Sequence, residues 1–442
     1  MSVRTRARSR ALWLVVSASM CLSAAAATPP TQPDSPFAAA PPPAITQAPP
    51  ALTQALRDVW TRNPAVQAAE AKAAAAQARS QAAAQPLYNP EVEIGSERAD
   101  VNTRSVGISQ TIDWSGKRRA RVGVGTAEWR AAEAERDQIR QDIGLQWLGG
   151  YAAYQVATEQ VALGAERVRI LAQFAALAQR RFTAGDIPSL ERDLAELALQ
   201  EARAQQAELL ADQAQARRTL AAVGGDPTAL PDLPRSLPPE APLPISDSLI
   251  EALPAIRQAR AEAEAAQARI TVAERERRAD PTVSISTGRV TDGPLRDNLL
   301  GVTLRIPLFV RNSYRAEVTA ARADADQADG LVRDRQLRAT AEANEAGAAY
   351  NAMHDAWLAW ESSRASRVVD RAALLQRLWE AGELSTADYL VQLKQSIDTE
   401  LTATGLRARV WQAWADWLAA SGRLSTWLGA APADLTRQGM NR

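Results

Sequence analysis

Residues 298–312 read NLLGVTLRIPLFVRN, and this stretch decides the fold. Leu300, Val302, Leu304, Ile306 and Leu308 fall on one side of an extended chain, while Gly301, Thr303, Arg305 and Pro307 fall on the other. Side chains alternate faces along a strand, so the spacing predicts a strand with one apolar face. The chain beyond it is unusual. From Leu308 to Ala431 there is no proline, and the composition is that of a very long helix. A lone amphipathic strand feeding a helix longer than a compact domain needs is not the pattern of a soluble globule.

Three further strands have the same character. Residues 90–97 and 104–114 form one expected pair, and 281–288 pairs with the stretch at 298–309. Val106, Ile108, Ile112 and Trp114 oppose Ser105, Gly107, Ser109, Thr111 and Asp113; Val283 and Ile285 oppose Thr282, Ser284 and Ser286. None of the four is hydrophobic on both faces. Such strands fit a transmembrane barrel wall, with lipid outside and water inside. Alternation alone is shared by a soluble sheet packed on helices; export and helix length favour the barrel. Four strands cannot close a barrel, since about eight is the smallest number whose interior fills sensibly. Several copies would have to share one barrel, and three would supply twelve strands.

The helices set the second dimension. Residues 117–183 and 313–381 lack proline. At 1.5 Å per residue, some 65 residues give roughly 100 Å of helix. Such a length suits a tube crossing a periplasm. Ala, Leu and Val recur at three- and four-residue spacings, as at Leu194, Leu197 and Ala198, and small residues on the contact stripe allow close, coiled-coil-like packing. Each long helix ends near a glycine, Gly185 or Gly382, where the chain must reverse and a left-handed residue is cheap. Pro188 stands where the returning helix begins.

The chain is duplicated. Asn63-Pro64-Ala65-Val66 matches Leu253-Pro254-Ala255-Ile256, Asn89-Pro90-Glu91-Val92 matches Asp280-Pro281-Thr282-Val283, and Phe182-Thr183-Ala184-Gly185-Asp186 matches Trp379-Glu380-Ala381-Gly382-Glu383. These landmarks keep nearly one offset, so each half reads helix, strand, strand, long helix, turn, helix. The expected domains are a signal peptide at 1–26, a Pro/Ala-rich linker at 27–51, a first repeat at 52–225, a Pro-rich linker at 226–248, a second repeat at 249–430 and a tail at 431–442.

The N-terminus carries four arginines (Arg4, Arg6, Arg8, Arg10), an apolar run over 11–22 and an Ala24-Ala25-Ala26 cleavage-like site, which marks an exported chain. A transit peptide shares some of these features. Cys21 is the only cysteine, so the body has no disulfide and no thiolate metal site. Met20 suits a lipidated cysteine poorly, and Cys21 reads as a residue lost with the signal. No other stretch offers the ~20 apolar residues of a membrane helix. Charges balance at 51 basic and 51 acidic residues, so nothing points to nucleic acid. His354, the single histidine, has no second histidine or cysteine nearby to build a metal site. Trp411, Trp414 and Trp417 read as packing. No phosphate loop, nucleophile elbow or paired-acid motif stands out; the chain reads as a non-enzyme without cofactor.

Residues 52–430 resemble the TolC-like outer-membrane factors, the exit ducts of tripartite efflux and secretion systems. The paired turns at 181–189 and 378–386 carry part of the likeness. Ser109-Gln110-Thr111-Ile112-Asp113-Trp114-Ser115-Gly116-Lys117-Arg118 and Ile306-Pro307-Leu308-Phe309-Val310-Arg311-Asn312 carry more, and look like the heavy-metal-efflux, CzcC-like branch. The resemblance implies a mostly α protein with transmembrane β: a homotrimer with a twelve-stranded barrel in the outer membrane of a Gram-negative bacterium, continued by a periplasmic helical barrel. It implies docking of a periplasmic membrane-fusion (adaptor) protein at tips formed by Gly185, Asp186, Ile187, Gly382, Glu383 and Leu384, and an inner-membrane RND-type pump behind that adaptor. It also makes Asp388 and Glu191 candidates for a periplasmic constriction, where rings of carboxylates would favour cations; both also read as solvated helix residues. Val391 stands where some relatives carry a further acid. A drug-efflux or type I secretion duct shares the fold, and a periplasmic adaptor or coiled-coil structural protein shares the long helices.

Overall fold

The computed structural model describes residues 48–227, 238–363 and 368–428. The expected signal peptide, most of the first proline-rich linker, residues 228–237 of the second and the C-terminal tail lie outside the described residues.

Each half opens on a proline-started helix. After a short α1 (Pro50–Arg62), α2 runs Pro64–Ala83, and its N-cap Asn63 accepts hydrogen bonds from the Ala65 and Val66 amides. Pro64 has no N–H to leave orphaned, and the Asn63 side chain satisfies two that remain. Two antiparallel strands come next, β1 (Glu91–Arg98) and β2 (Val101–Thr111), then α3 (Lys117–Ala184), α4 (Ser189–Ala222) and a short α5 (Asp247–Ala252). The second half gives α6 (Pro254–Glu276), β3 (Thr282–Asp292), β4 (Leu295–Arg305), α7 (Arg315–Ser363), α8 (Val368–Glu380), α9 (Thr386–Ala420) and α10 (Leu424–Trp427). At 68 residues, α3 is about 100 Å long. Its counterpart is described as α7 and α8 on either side of residues 364–367, which lie outside the described residues.

The strand bounds differ from the sequence expectation in an instructive direction. Alternation puts the second and fourth strands at 104–114 and 298–309, and the structure ends them at Thr111 and Arg305. Pro307 has no N–H for a ladder. Both strands instead extend further toward their hairpin turns, as does β3, expected at 281–288. The sheet order is β1-β2-β3-β4, all antiparallel, leaving β1 and β4 as open edges.

The helices pack around α3, which touches α2, α4, α6 and α9. Alanine dominates the contacts: Ala69, Ala73 and Ala76 of α2, and Ala259, Ala263 and Ala266 of α6, are buried. Thicker aromatic cores interrupt this thin packing, one at the tips around Phe174, Trp379 and Tyr389 and one nearer the sheet. Trp147 stacks on Tyr151, and Trp414 stacks on Trp417 with ring centroids 4.7 Å apart, under α1, α5 and α10. The late tryptophans are thus core residues.

Candidate functional site

The sheet has two chemically opposite faces. Its register sets Val92, Ile108, Ile285 and Val302 in one cross-strand row and Ile94, Val106, Thr287 and Leu300 in the next. Paired residues share a face, so these rows form one apolar surface. It is uncovered: Ile94 is 80% exposed, Leu300 76% and Val302 73%. Gly107, Ser286 and Gly301, with Ser109, Ser284 and Thr303, form the other face. A soluble sheet buries its apolar face and wets its polar one; here the apolar face is the bare one. That is the inversion of a barrel wall in lipid.

Charge is segregated in the same way. Arg98, Arg104, Arg289 and Arg296 share the apolar face, near the hairpin ends. Glu91, Glu93, Glu97, Asp292 and Asp297 all stand on the small-polar face, where Arg305 is the one cation.

A buried hub fixes the strands to the helices. The Ser115 amide and hydroxyl donate to one Asp280 oxygen, the hydroxyl at 2.8 Å; Tyr88 donates to the other at 3.0 Å, and Lys117 Nζ lies 3.1 Å from it. Burial would push the Asp280 carboxyl up, but the bonds from Ser115, Lys117 and Tyr88 hold it below the ordinary aspartate range. Asp113 accepts from the Lys117 and Arg118 amides and so caps α3. The motif at 109–118 is therefore a corner: Asp113 starts the helix, while Ser115 and Lys117 tie it to the start of β3.

The far end holds two matching tips. Gly185 and Gly382 have φ of 84° and 75°, a region cheap only for glycine. The Gly185 amide bonds Phe182 O and the Asp186 amide bonds Arg181 O; the Gly382 amide bonds Trp379 O and the Glu383 amide bonds Leu378 O. These are two Schellman caps with the same pair of bonds. Ile187 and Leu384 pack on a shared core of Phe174, Trp379, Tyr389 and neighbouring leucines, so the two turns stand side by side. Gly185, Asp186, Gly382 and Glu383 are exposed.

The two carboxylates singled out by sequence are placed differently. Glu191 is half-buried and accepts a 2.5 Å hydrogen bond from the Thr386 hydroxyl, which itself accepts from Trp379 Nε1 at 2.9 Å. Glu191 thus links the first tip to the second. Asp388 is exposed; its carboxylate accepts from Ser385 Oγ, and its amide donates back to that oxygen. Thr386 and Trp379 were missed by sequence reasoning, though Ser385-x-x-Asp388 is a readable capping box. Arg181 lies 4.5 Å above the Trp379 ring and donates to Glu380 O, a further tie between the tips. Burial pushes the Tyr389 hydroxyl up to about 12. Among the described residues no cluster of three His, Cys, Asp or Glu is gathered for a metal.

Comparison with known proteins agrees with this geometry. Residues 55–226 match the family described as outer membrane efflux protein. Protein CyaE of Bordetella pertussis is 30% identical over 411 residues, covering 81% of this chain and 84% of that one. The cobalt-zinc-cadmium resistance protein CzcC of Cupriavidus metallidurans is 27% identical over 258 residues; the chain spans about three fifths (61%) of its length. Among solved structures, CusC superposes with a TM-score of 0.71 at 16% identity, covering 85% of this chain and 93% of that one. The Campylobacter jejuni outer membrane channel CmeC gives 0.69 at 14% identity, covering 84% and 86%. An inverted sheet on duplicated helical hairpins, and a relative that close over most of its length, place the chain in one family: it belongs to the outer membrane efflux proteins.

Proposed function

We propose that the chain is one subunit of a trimeric exit duct in the outer membrane, carrying metal cations outward from an inner-membrane RND-type pump. The observation that carries this reading is the bare apolar face of a four-stranded sheet with two open edges. Exposed edges template pairing with another strand, and closure of a barrel removes them. Three copies supply twelve strands, with the apolar rows in lipid and the small-polar face around water.

Cations are favoured as cargo by two facts. The face that would line the pore bears five carboxylates and one arginine per copy, and oriented rings of carboxylates select cations. The relative from Cupriavidus metallidurans is named for resistance to cobalt, zinc and cadmium, and one from Alcaligenes xylosoxydans for nickel, cobalt and cadmium. Selection among metals rests with the pump or adaptor. At the periplasmic end, Gly185, Asp186, Ile187, Gly382, Glu383 and Leu384 offer the adaptor a compact docking surface. Exposed Asp388 is the better candidate for a constriction ring; Glu191 serves the joint between tips.

Cellular zinc, cobalt and cadmium contents in a strain lacking the gene test the reading, with and without the full-length chain restored. Restored chain should lower all three and raise tolerance. Unchanged metal content with restored export of a protein or an organic drug would replace the metal reading by a secretion or drug duct.

A further inference from the structure

The four arginines of the apolar face have no role in an exit duct, yet their placement is regular. Beyond the row Ile94–Val106–Thr287–Leu300, the register gives Ser96–Arg104–Arg289–Asn298 and then Arg98–Asn102–Thr291–Arg296. All four are exposed. Arg104 and Arg289 are direct cross-strand partners, and like charges so placed repel. No carboxylate of the strands shares their face, since every acidic strand residue stands on the other one. Among the described residues the four side chains make no ion pair or hydrogen bond.

Such a cluster is stabilised by an external polyanion, and its height says which kind. It begins one row past the apolar band, at the hairpin end, away from the helices. In the proposed duct that is the headgroup level of the outer leaflet. The two ends of the band differ. Near the helices stand Trp114, 80% exposed, and Phe309 edge-on to Tyr314, the amphipathic rings usual at a lipid–water interface. The strands themselves contain no aromatic residue. Guanidinium forks match phosphate oxygens two at a time, which ring edges cannot do.

We infer that Arg98, Arg104, Arg289 and Arg296 form a girdle that binds the phosphate groups of a multiply phosphorylated outer-leaflet glycolipid of the lipid A type. This rests on the barrel reading above. Twelve guanidiniums would ring a trimer, with two from each copy directly paired.

The test uses full-length protein extracted from outer membranes and placed in phosphatidylcholine nanodiscs containing a minor share of bisphosphorylated lipid A. Lipid retained on repurified protein is counted by mass spectrometry. Wild type should retain lipid A in excess of its share, and R98Q/R104Q/R289Q/R296Q should retain about ten-fold less. The four-lysine variant should keep part of the excess, and dephosphorylated lipid A should show none. Equal retention by wild type and the glutamine variant, or equal retention of phosphorylated and dephosphorylated lipid, overturns the girdle. If the fourfold variant does not assemble, R104Q/R289Q carries the same comparison. Recovery of wild type outside the outer membrane would remove the barrel and the girdle together; outer-membrane protein without excess lipid A removes the girdle alone.

Discussion

The two strand-to-helix corners are repeats of one another and live in different surroundings. The first, from β2 into α3, is closed within the chain: the Lys117 and Asp280 side chains are 8% and 3% exposed, and Ser115 is buried. The second, from β4 into α7, is open. Leu308 and Val310 are 77% and 87% exposed, Tyr314 is held at φ 52°, and a bond from Arg277 Nε to Ser313 O ties it to α6. The first corner is satisfied by the next strand start in the chain, Asp280. A third repeat would satisfy the second corner in the same way, and the chain has only two. In the proposed trimer, the next strand start is Asn89-Pro90-Glu91 of another copy.

The repeat also sets the register of that contact. Glu91 and Thr282 hold equivalent places in the two hairpins, as do their partners Ser109 and Arg305. Within the chain Ser109 lies opposite Ser284. Carried to the open edges, the same pairing sets Arg305 opposite Glu93 of the next copy. The single cation of the pore-side face would then meet a carboxylate.

The contrast breaks most severely at the closed corner. Asp280→Ala leaves Lys117 beside Glu276 but without its buried partner, and should cost about 3–5 kcal/mol in chemical unfolding of the purified protein. The carboxyl of Asp280 is depressed in the folded state, so its contribution is present above about pH 4, the unfolded aspartate range, and fades as pH falls further. Unfolding curves of wild type and Asp280→Asn should therefore converge toward acid. An unchanged gap between pH 7 and pH 3 would deny the ion its role. At the other end, Gly382→Val forces a β-branched residue to φ 75°, costing about 1–2 kcal/mol locally. Metal tolerance should be lost with trimers still recovered; normal tolerance would remove the docking assignment. A charge swap sharpens the open edge. Arg305→Glu and Glu93→Arg should each weaken the oligomer in detergent by about 1 kcal/mol per pair, read as a lower dissociation temperature, and the double variant should recover it. Smallest is Tyr314→Gly, which relieves the positive φ against the loss of one edge contact with Phe309 and should change stability by less than about 1 kcal/mol.

Much of this was legible in the sequence because it is periodic. Alternation at 300–308 announces an apolar face, and missing prolines with paired glycines announce long hairpins. Other features stayed hidden because periodicity does not carry them. The ends of β2 and β4 depend on where the ladder loses its partners around Pro281 and Pro307, a property of two strands rather than one. Glu191 and Asp388 look alike in sequence, yet only Glu191 finds Thr386, because that bond joins residues 195 apart in the chain. The sorting of arginines to one face and carboxylates to the other needed the register, which pattern alone leaves free by one residue.

The shared barrel can be tested at one bond. Cys21 is the only cysteine, at the extreme N-terminus, so a pair introduced as Glu93→Cys and Arg305→Cys has no competitor in the sheet. Directly opposed strand residues lie within disulfide range. Mild oxidation of outer membranes carrying the double variant should give covalent trimers on denaturing gels, reversed by reductant, while either single variant stays monomeric. A double variant that remains monomeric, or that links no better than the one-residue-shifted pair Ile94→Cys with Arg305→Cys, would contradict a barrel closed by β4 of one copy on β1 of the next.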